Sequence, residues 1–119
     1  AKYPNVYVIA DEIYEHINYV GKHESIAQFS EIKDRVVIVN GVSKAYAMTG
    51  WRIGYVAAPE DLVSQCFKLH QYATICAPIF SQYAAMEGLR NGWNEVEKMR
   101  VSYQQRRNYM YKAFQRVFR

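Results

Sequence analysis

Cysteine is scarce in this chain: its 119 residues hold two, Cys66 and Cys76. They do not form a Cys-x-x-Cys pair and no histidine cluster joins them, which excludes a disulfide scaffold and zinc-binding spacing, so no metal site is expected. Both sit among apolar neighbours, which predicts buried, reduced thiols and a cytoplasmic protein. Three prolines and six glycines are too few for a collagenous or low-complexity chain. A long apolar run is also missing. The longest stretch without Asp, Glu, Lys or Arg, Leu69 to Met86, contains His70, Gln71, Thr74, Pro78, Ser81 and Gln82, a composition unlike a membrane span. Neither sign of charge dominates: 15 Lys and Arg against 11 Asp and Glu leave a net +4. Much of the excess follows Lys98, at Arg100, Arg106, Arg107, Lys112, Arg116 and Arg119. Without an aromatic-basic motif beside it, this reads as the solvated face of a helix, and no nucleic-acid partner is expected.

What is present is an ordinary globular balance, 50% hydrophobic and 22% charged, with enough chain for one small domain. Three short apolar runs read as buried strands: Val6 to Ala10, Val36 to Val39, and Ile53 to Ala58. Between the first two, His16 to Phe29 is polar and turn-rich and reads as a loop. Ser30 to Arg35 reads as a charged connection with a helical turn. After the third run, Pro59-Glu60-Asp61 opens a helix, with proline at its start and acids in its first turn. Leu62, Val63, Cys66, Phe67 and His70 recur at helical spacing and predict its inner face. Tyr72 to Pro78 breaks the pattern. A second helix is expected from Ile79 to Arg90, with Ile79, Tyr83 and Met86 on one stripe and Asn91-Gly92 ending it. A third runs from Trp93 to the last residue, with Trp93, Val96, Met99, Tyr103, Met110, Phe114 and Val117 as an apolar stripe that reads as core or interface. Strands first and helices after them point to an α/β fold.

The densest stretch is Gly41-Val-Ser-Lys-Ala-Tyr-Ala-Met-Thr-Gly-Trp-Arg-Ile-Gly54. It places Lys44 and Arg52 among small and apolar residues between two strands. A lysine there ordinarily extends its ammonium to water. One held in the interior instead has its charged form disfavoured and its pKa lowered, which suits a neutral amine that forms imines. Asp11 directly follows the first apolar run. In parallel α/β sheets, ligands sit outside the carboxyl ends of strands. That position suits chemistry, although an aspartate there also serves as a turn or helix cap. His16 and His23 lie in the following loop.

The string Gly41, Val42, Ser43, Lys44, followed eight positions after the lysine by Arg52, Ile53 and Gly54, resembles the lysine signature of the class I and II aminotransferases. These are pyridoxal-phosphate-dependent enzymes of fold type I. Ala10-Asp11-Glu12-Ile13-Tyr14-Glu15 resembles the same family's Asp-x-x-Tyr strand end. The likeness covers essentially the whole chain, and the chain covers about a third of a typical member. Ala1 begins close to a strand and Arg119 stops within a helical pattern, so a longer polypeptide is expected.

The resemblance implies that the chain is part of the large domain of a fold type I transferase. Its three strands would belong to a mostly parallel sheet, the last of the three running antiparallel. Residues 1–92 would lie in the cofactor-binding large domain, and residues 93–119 would form a long helix leading toward the small domain. It implies Lys44 as the catalytic, imine-forming lysine and proton carrier, with pyridoxal 5'-phosphate as cofactor. Asp11 would face the pyridine nitrogen, Tyr14 the 3'-oxygen, and Arg52 and Ser43 the phosphate. Where many relatives carry serine this chain has Gly41, which would offer only its backbone N–H. The implied reaction moves an amino group between an amino acid and a 2-oxo acid. The same scaffold also supports β-lyases, synthases and ligand-sensing domains of transcription regulators. The family is dimeric, with the region corresponding to Tyr72–Pro78, including Tyr72 and Thr74, reaching the partner subunit. One dicarboxylate-specific subgroup carries an arginine in this loop and this chain does not, so the likeness leaves aspartate specificity open. The family's ring-stacking aromatic, its 3'-oxygen asparagine, its phosphate-binding amide loop and its substrate-carboxylate arginine have no counterpart in these 119 residues. The isolated chain is therefore expected to be inactive.

Overall fold

A computed structural model describes residues 2–117; Arg119 and the predicted last residues of the third helix lie outside them. Three strands form one sheet in the order β1-β2-β3: β1 Val8–Asp11, β2 Val36–Gly41 and β3 Gly54–Ala57. β1 and β2 run parallel, with Val8 opposite Val36 and Asp11 opposite Val39. β3 returns antiparallel, with Gly41 opposite Gly54. The mixed pattern is the one the family likeness implied. The β-branched run Val36-Val37-Ile38-Val39 suits the central position, where both edges are hydrogen-bonded.

The parallel pair requires a long crossover, and residues 12–35 supply it. They comprise a turn after β1, an open loop, and short 3-10 turns at Ile26–Gln28 and Ser30–Arg35. Ser25 caps the first of these, its Oγ accepting from the Ala27 N–H at 3.2 Å. Arg35 ties the crossover back, donating to the carbonyls of Tyr3 and Pro4.

Three helices follow: α1 Glu60–Ala73, α2 Ile79–Asn91 and α3 Trp93–Val117. Pro59 and Pro78 stand immediately before α1 and α2, where a missing N–H costs nothing. α1 ends at Thr74, whose N–H and hydroxyl both reach the His70 carbonyl. Ile75 then adopts a left-handed φ of 66°, so the predicted break falls at residues 74–78.

The hydrophobic core is small and lies under the lysine-bearing turn. Val42, Met48 and Ala85 are buried, and Tyr46, Ile53 and Ala84 pack against them. Burial departs from expectation in several places. β1 is exposed at alternate residues and β3 throughout, because no layer of the described residues covers those faces. Of the predicted inner face of α1, only Leu62 is partly buried. Val63, Cys66, Phe67 and His70 do face β2 and β3, across an open groove of about 470 Å³. Cys66 and Cys76 are accordingly exposed free thiols, not buried ones. On α2, the predicted stripe Ile79, Tyr83 and Met86 is exposed. The helix instead turns Ser81 and Ala85 inward, since its close approach to the core requires small side chains. On α3, Val96 is buried and Met99 partly so, while Trp93, Tyr103, Met110, Phe114 and Val117 are exposed.

Candidate functional site

The strand directions bring the candidate residues to one edge of the sheet. Because β1 and β2 are parallel, Asp11 and Gly41 mark their carboxyl ends at the same edge. Because β3 is antiparallel, it begins at that edge with Gly54. The turns that carry Tyr14, Lys44 and Arg52 all emerge there, the segment after β1 meeting the single β2–β3 connection that holds both Lys44 and Arg52.

Each side chain is held locally. Asp11 Oδ1 accepts from the Ile13 N–H at 3.1 Å, so the residue does form a turn at the strand end. The turn continues with Glu15 N–H to the Glu12 carbonyl and Ile17 N–H to the Tyr14 carbonyl, each at 2.9 Å, and presents Tyr14 at the surface. Val42, fully buried, anchors the other turn: its carbonyl accepts from the N–H groups of Tyr46 and Met48. Ala47 closes this turn at a left-handed φ of 53°. Lys44 stands two residues beyond the anchor, partly buried rather than enclosed. Its Nζ lies 6.0 Å from the centre of the Tyr14 ring, a cation–π distance.

Ser43 is partly buried, and its carbonyl accepts from the Thr49 hydroxyl at 3.0 Å. Arg52 is exposed and left-handed, at φ 57° and ψ 46°, with Nη1 donating to the Thr49 carbonyl at 3.0 Å. Among the described residues no ion pair engages Lys44, Arg52 or Asp11; Asp11 and Arg52 make only the local turn bonds given above. The Gly41 N–H donates to Asn40 Oδ1 at 2.7 Å and is thus already spent. A side chain at Gly41 would bring its Cβ within 2.8 Å of the Ile53 carbonyl oxygen.

A polar seam beside the site was not legible in the sequence. Glu12 is 8% exposed, accepts from the Ser25 hydroxyl at 2.7 Å and pairs with His23 Nε2 at 3.2 Å. Glu15 accepts from Asn40 Nδ2 at 2.8 Å and lies 3.2 Å from His16 Nε2. Both loop histidines are thereby engaged in packing, and His16 also meets the Trp93 ring edge-on at 5.1 Å. Burial and the Glu15 charge raise the pKa of Tyr46 and of Tyr55 above the ordinary phenol value. Further out, Arg100 clamps Glu97 with two bonds of 2.7 and 2.8 Å and reaches the Asn18 carbonyl at 3.4 Å. That pair lowers the Glu97 pKa through the hydrogen bond and raises that of Arg100. No helix among the described residues is long and apolar enough to cross a membrane.

Comparison with known proteins gives a consistent result. A putative aminotransferase of Bacillus subtilis (strain 168) is 52% identical over 108 residues, covering 91% of this chain and 28% of that protein. The aromatic aminotransferase of Pyrococcus horikoshii OT3 superposes with a TM-score of 0.86 at 42% identity, over 91% of this chain and 30% of its own. A tetra mutant of the Thermus thermophilus aspartate aminotransferase gives a TM-score of 0.90 at 33% identity, over 95% of this chain and 31% of its own. The chain therefore spans less than a third of the length of these relatives. The family model for aminotransferase class I and II matches residues 1–118, and with the strand order and the lysine turn in place, the chain belongs to that family.

Proposed function

We propose that this chain is the lysine-bearing segment of a pyridoxal-phosphate-dependent aminotransferase that moves an amino group between an amino acid and a 2-oxo acid. The observation that carries the reading is the convergence of Asp11, Tyr14, Lys44 and Arg52 at one sheet edge, with no ion pair among the described residues engaging the three charged groups. The donor set fits pyridoxal 5'-phosphate group by group. A carboxylate suits a protonated ring nitrogen, a phenol a ring oxygen, an amine an aldehyde carbon, and a guanidinium a phosphate. When bound, that cofactor supplies an electron sink for charge developing at the substrate α-carbon.

The chain's own residues do the rest. Lys44 would hold the cofactor through its amine, and as a free amine it would serve as the general base for the substrate α-proton. Asp11 stabilises the protonated ring nitrogen by opposite charge. Tyr14 donates to the ring oxygen, and its ring lies beside the lysine. Arg52 binds the phosphate, with the Ser43 hydroxyl as a second donor. Residues 1–92 then belong to the cofactor-binding large domain, and α3 leads toward the small domain. The exposed apolar residues of α1 and of the segment after it, including Phe67, Leu69, Tyr72 and Ile75, fit a surface covered in a larger cytoplasmic homodimer.

The test is amino-group transfer by the whole protein, followed by chromatography of both product acids. Transfer that disappears in Lys44→Ala supports the reading. Release of ammonia and pyruvate in place of transfer would assign another reaction to the same lysine.

A further inference from the structure

We propose that Glu15 and Asn40 are positioning residues that set the separation of Tyr14 and Lys44, an inference that rests on the functional reading above. The two functional side chains stand on different turns, one leaving β1 and the other leaving β2. The last backbone hydrogen bond joining those strands is the Glu12 N–H to the Val39 carbonyl at 2.9 Å. Beyond it the chains separate, and the side-chain bond from Asn40 Nδ2 to Glu15 Oε1 at 2.8 Å spans the gap. Glu15 is the residue after Tyr14, and Asn40 lies four residues before Lys44.

The geometry of Asn40 allows one arrangement. The residue is 6% exposed, so each polar atom of its side chain requires a partner. The Oδ1 atom accepts from the Gly41 N–H, which turns Nδ2 toward Glu15. The Glu15 carboxylate accepts, making the bond charge-assisted. The same carboxylate meets His16 Nε2, and His16 packs on Trp93 of α3, which restrains the Glu15 side from behind. Movement of either turn must break this bond, so the 6.0 Å between the Lys44 ammonium and the Tyr14 ring depends on it.

The test is an absorbance titration of the cofactor-loaded whole protein, read as the pH at which the lysine-bound cofactor changes colour. That value depends on how close Tyr14 is held. Glu15→Gln keeps an acceptor for Asn40 and is expected to leave the midpoint unchanged. Asn40→Asp sets two carboxylates against each other and is expected to raise the midpoint by about one pH unit, a tenfold change in proton affinity. The double variant E15Q/N40D reverses the polarity of the bond, the new amide on the first turn donating to the new carboxylate on β2, and is expected to restore the wild-type value. Urea unfolding of the same four proteins without cofactor reads their fold independently. A midpoint unmoved in Asn40→Asp, or not restored in the double variant, overturns the proposal. A wild type that shows no lysine-bound cofactor overturns the functional reading itself and the proposal with it.

Discussion

Arg52 combines a proposed function with a backbone conformation that its residue type disfavours, and the two can be separated by experiment. At φ 57° and ψ 46° a residue with a Cβ carries a cost of roughly 1–2 kcal/mol, which glycine avoids. Arg52→Ala and Arg52→Gly both lose the guanidinium and its exposed bond to the Thr49 carbonyl, so that loss cancels between them. What remains is the left-handed strain, offset in part by the larger entropy that glycine loses on folding, roughly 0.5–1 kcal/mol. Arg52→Gly is therefore expected to be more stable than Arg52→Ala by about 1 kcal/mol, read as the difference in urea unfolding of the cofactor-free whole protein. The functional consequence is the same for both. A hydrogen bond to a charged group contributes about 1.5–3 kcal/mol, so affinity for pyridoxal phosphate falls by roughly 10- to 150-fold. Affinity for pyridoxal, which lacks the phosphate, stays within a factor of about two of wild type, because the remaining contacts are intact. An equal loss for both ligands would refute the phosphate assignment. An Arg52→Gly variant no more stable than Arg52→Ala would refute the strain argument.

Further predictions concern packing, pH and the extent of the chain. At Gly88 a Cβ would meet Tyr46 Cδ1 at an ordinary 3.4 Å, whereas at Gly92 it would lie 2.6 Å from the Gly88 carbonyl oxygen. Gly88→Ala is thus expected to stabilise by about 0.5–1 kcal/mol through helix propensity, and Gly92→Ala to destabilise by about 1–3 kcal/mol; thermal unfolding of the pair decides. Tyr46 and Tyr55 have pKa values raised above 10.0, so the folded state holds their protons more tightly than the unfolded state does. Their contribution to stability is complete below pH 10.0 and is lost as the pH climbs through the raised folded values. Phenolate absorbance in Tyr46→Phe and Tyr55→Phe should each lose a late-titrating component, and Glu15→Gln should move both components to lower pH. The 119-residue chain alone should give no amino-group transfer above background, and measurable turnover by it would contradict the division of the site argued above.

What could be read from the sequence, and what could not, divides along physical lines. The three strands were legible because β-branched apolar runs bounded by turn residues have few alternatives. The lysine turn was legible because Lys44, Arg52 and the glycines Gly41 and Gly54 occupy fixed positions in the string. The antiparallel direction of β3 came from the family likeness, since no local signal in Gly54–Ala57 distinguishes it. On α2, hydrophobicity picks out the stripe Ile79, Tyr83 and Met86, whereas close approach to the core selects the small residues Ser81 and Ala85. The burial of α1 and of both cysteines was overestimated because spacing defines which face is apolar but not whether a partner layer lies against it. The Glu15–Asn40 bond could not be foreseen: its partners are 25 residues apart, and they meet only because β1 and β2 are parallel.

The most direct test of the central claim is borohydride reduction of the whole protein with pyridoxal phosphate, followed by peptide mass mapping. Reduction converts a lysine imine into a stable amine and so marks the lysine that held the cofactor. A single mark, at Lys44, is the predicted result. Marks scattered over surface lysines such as Lys68 and Lys98, or none at all, would contradict it.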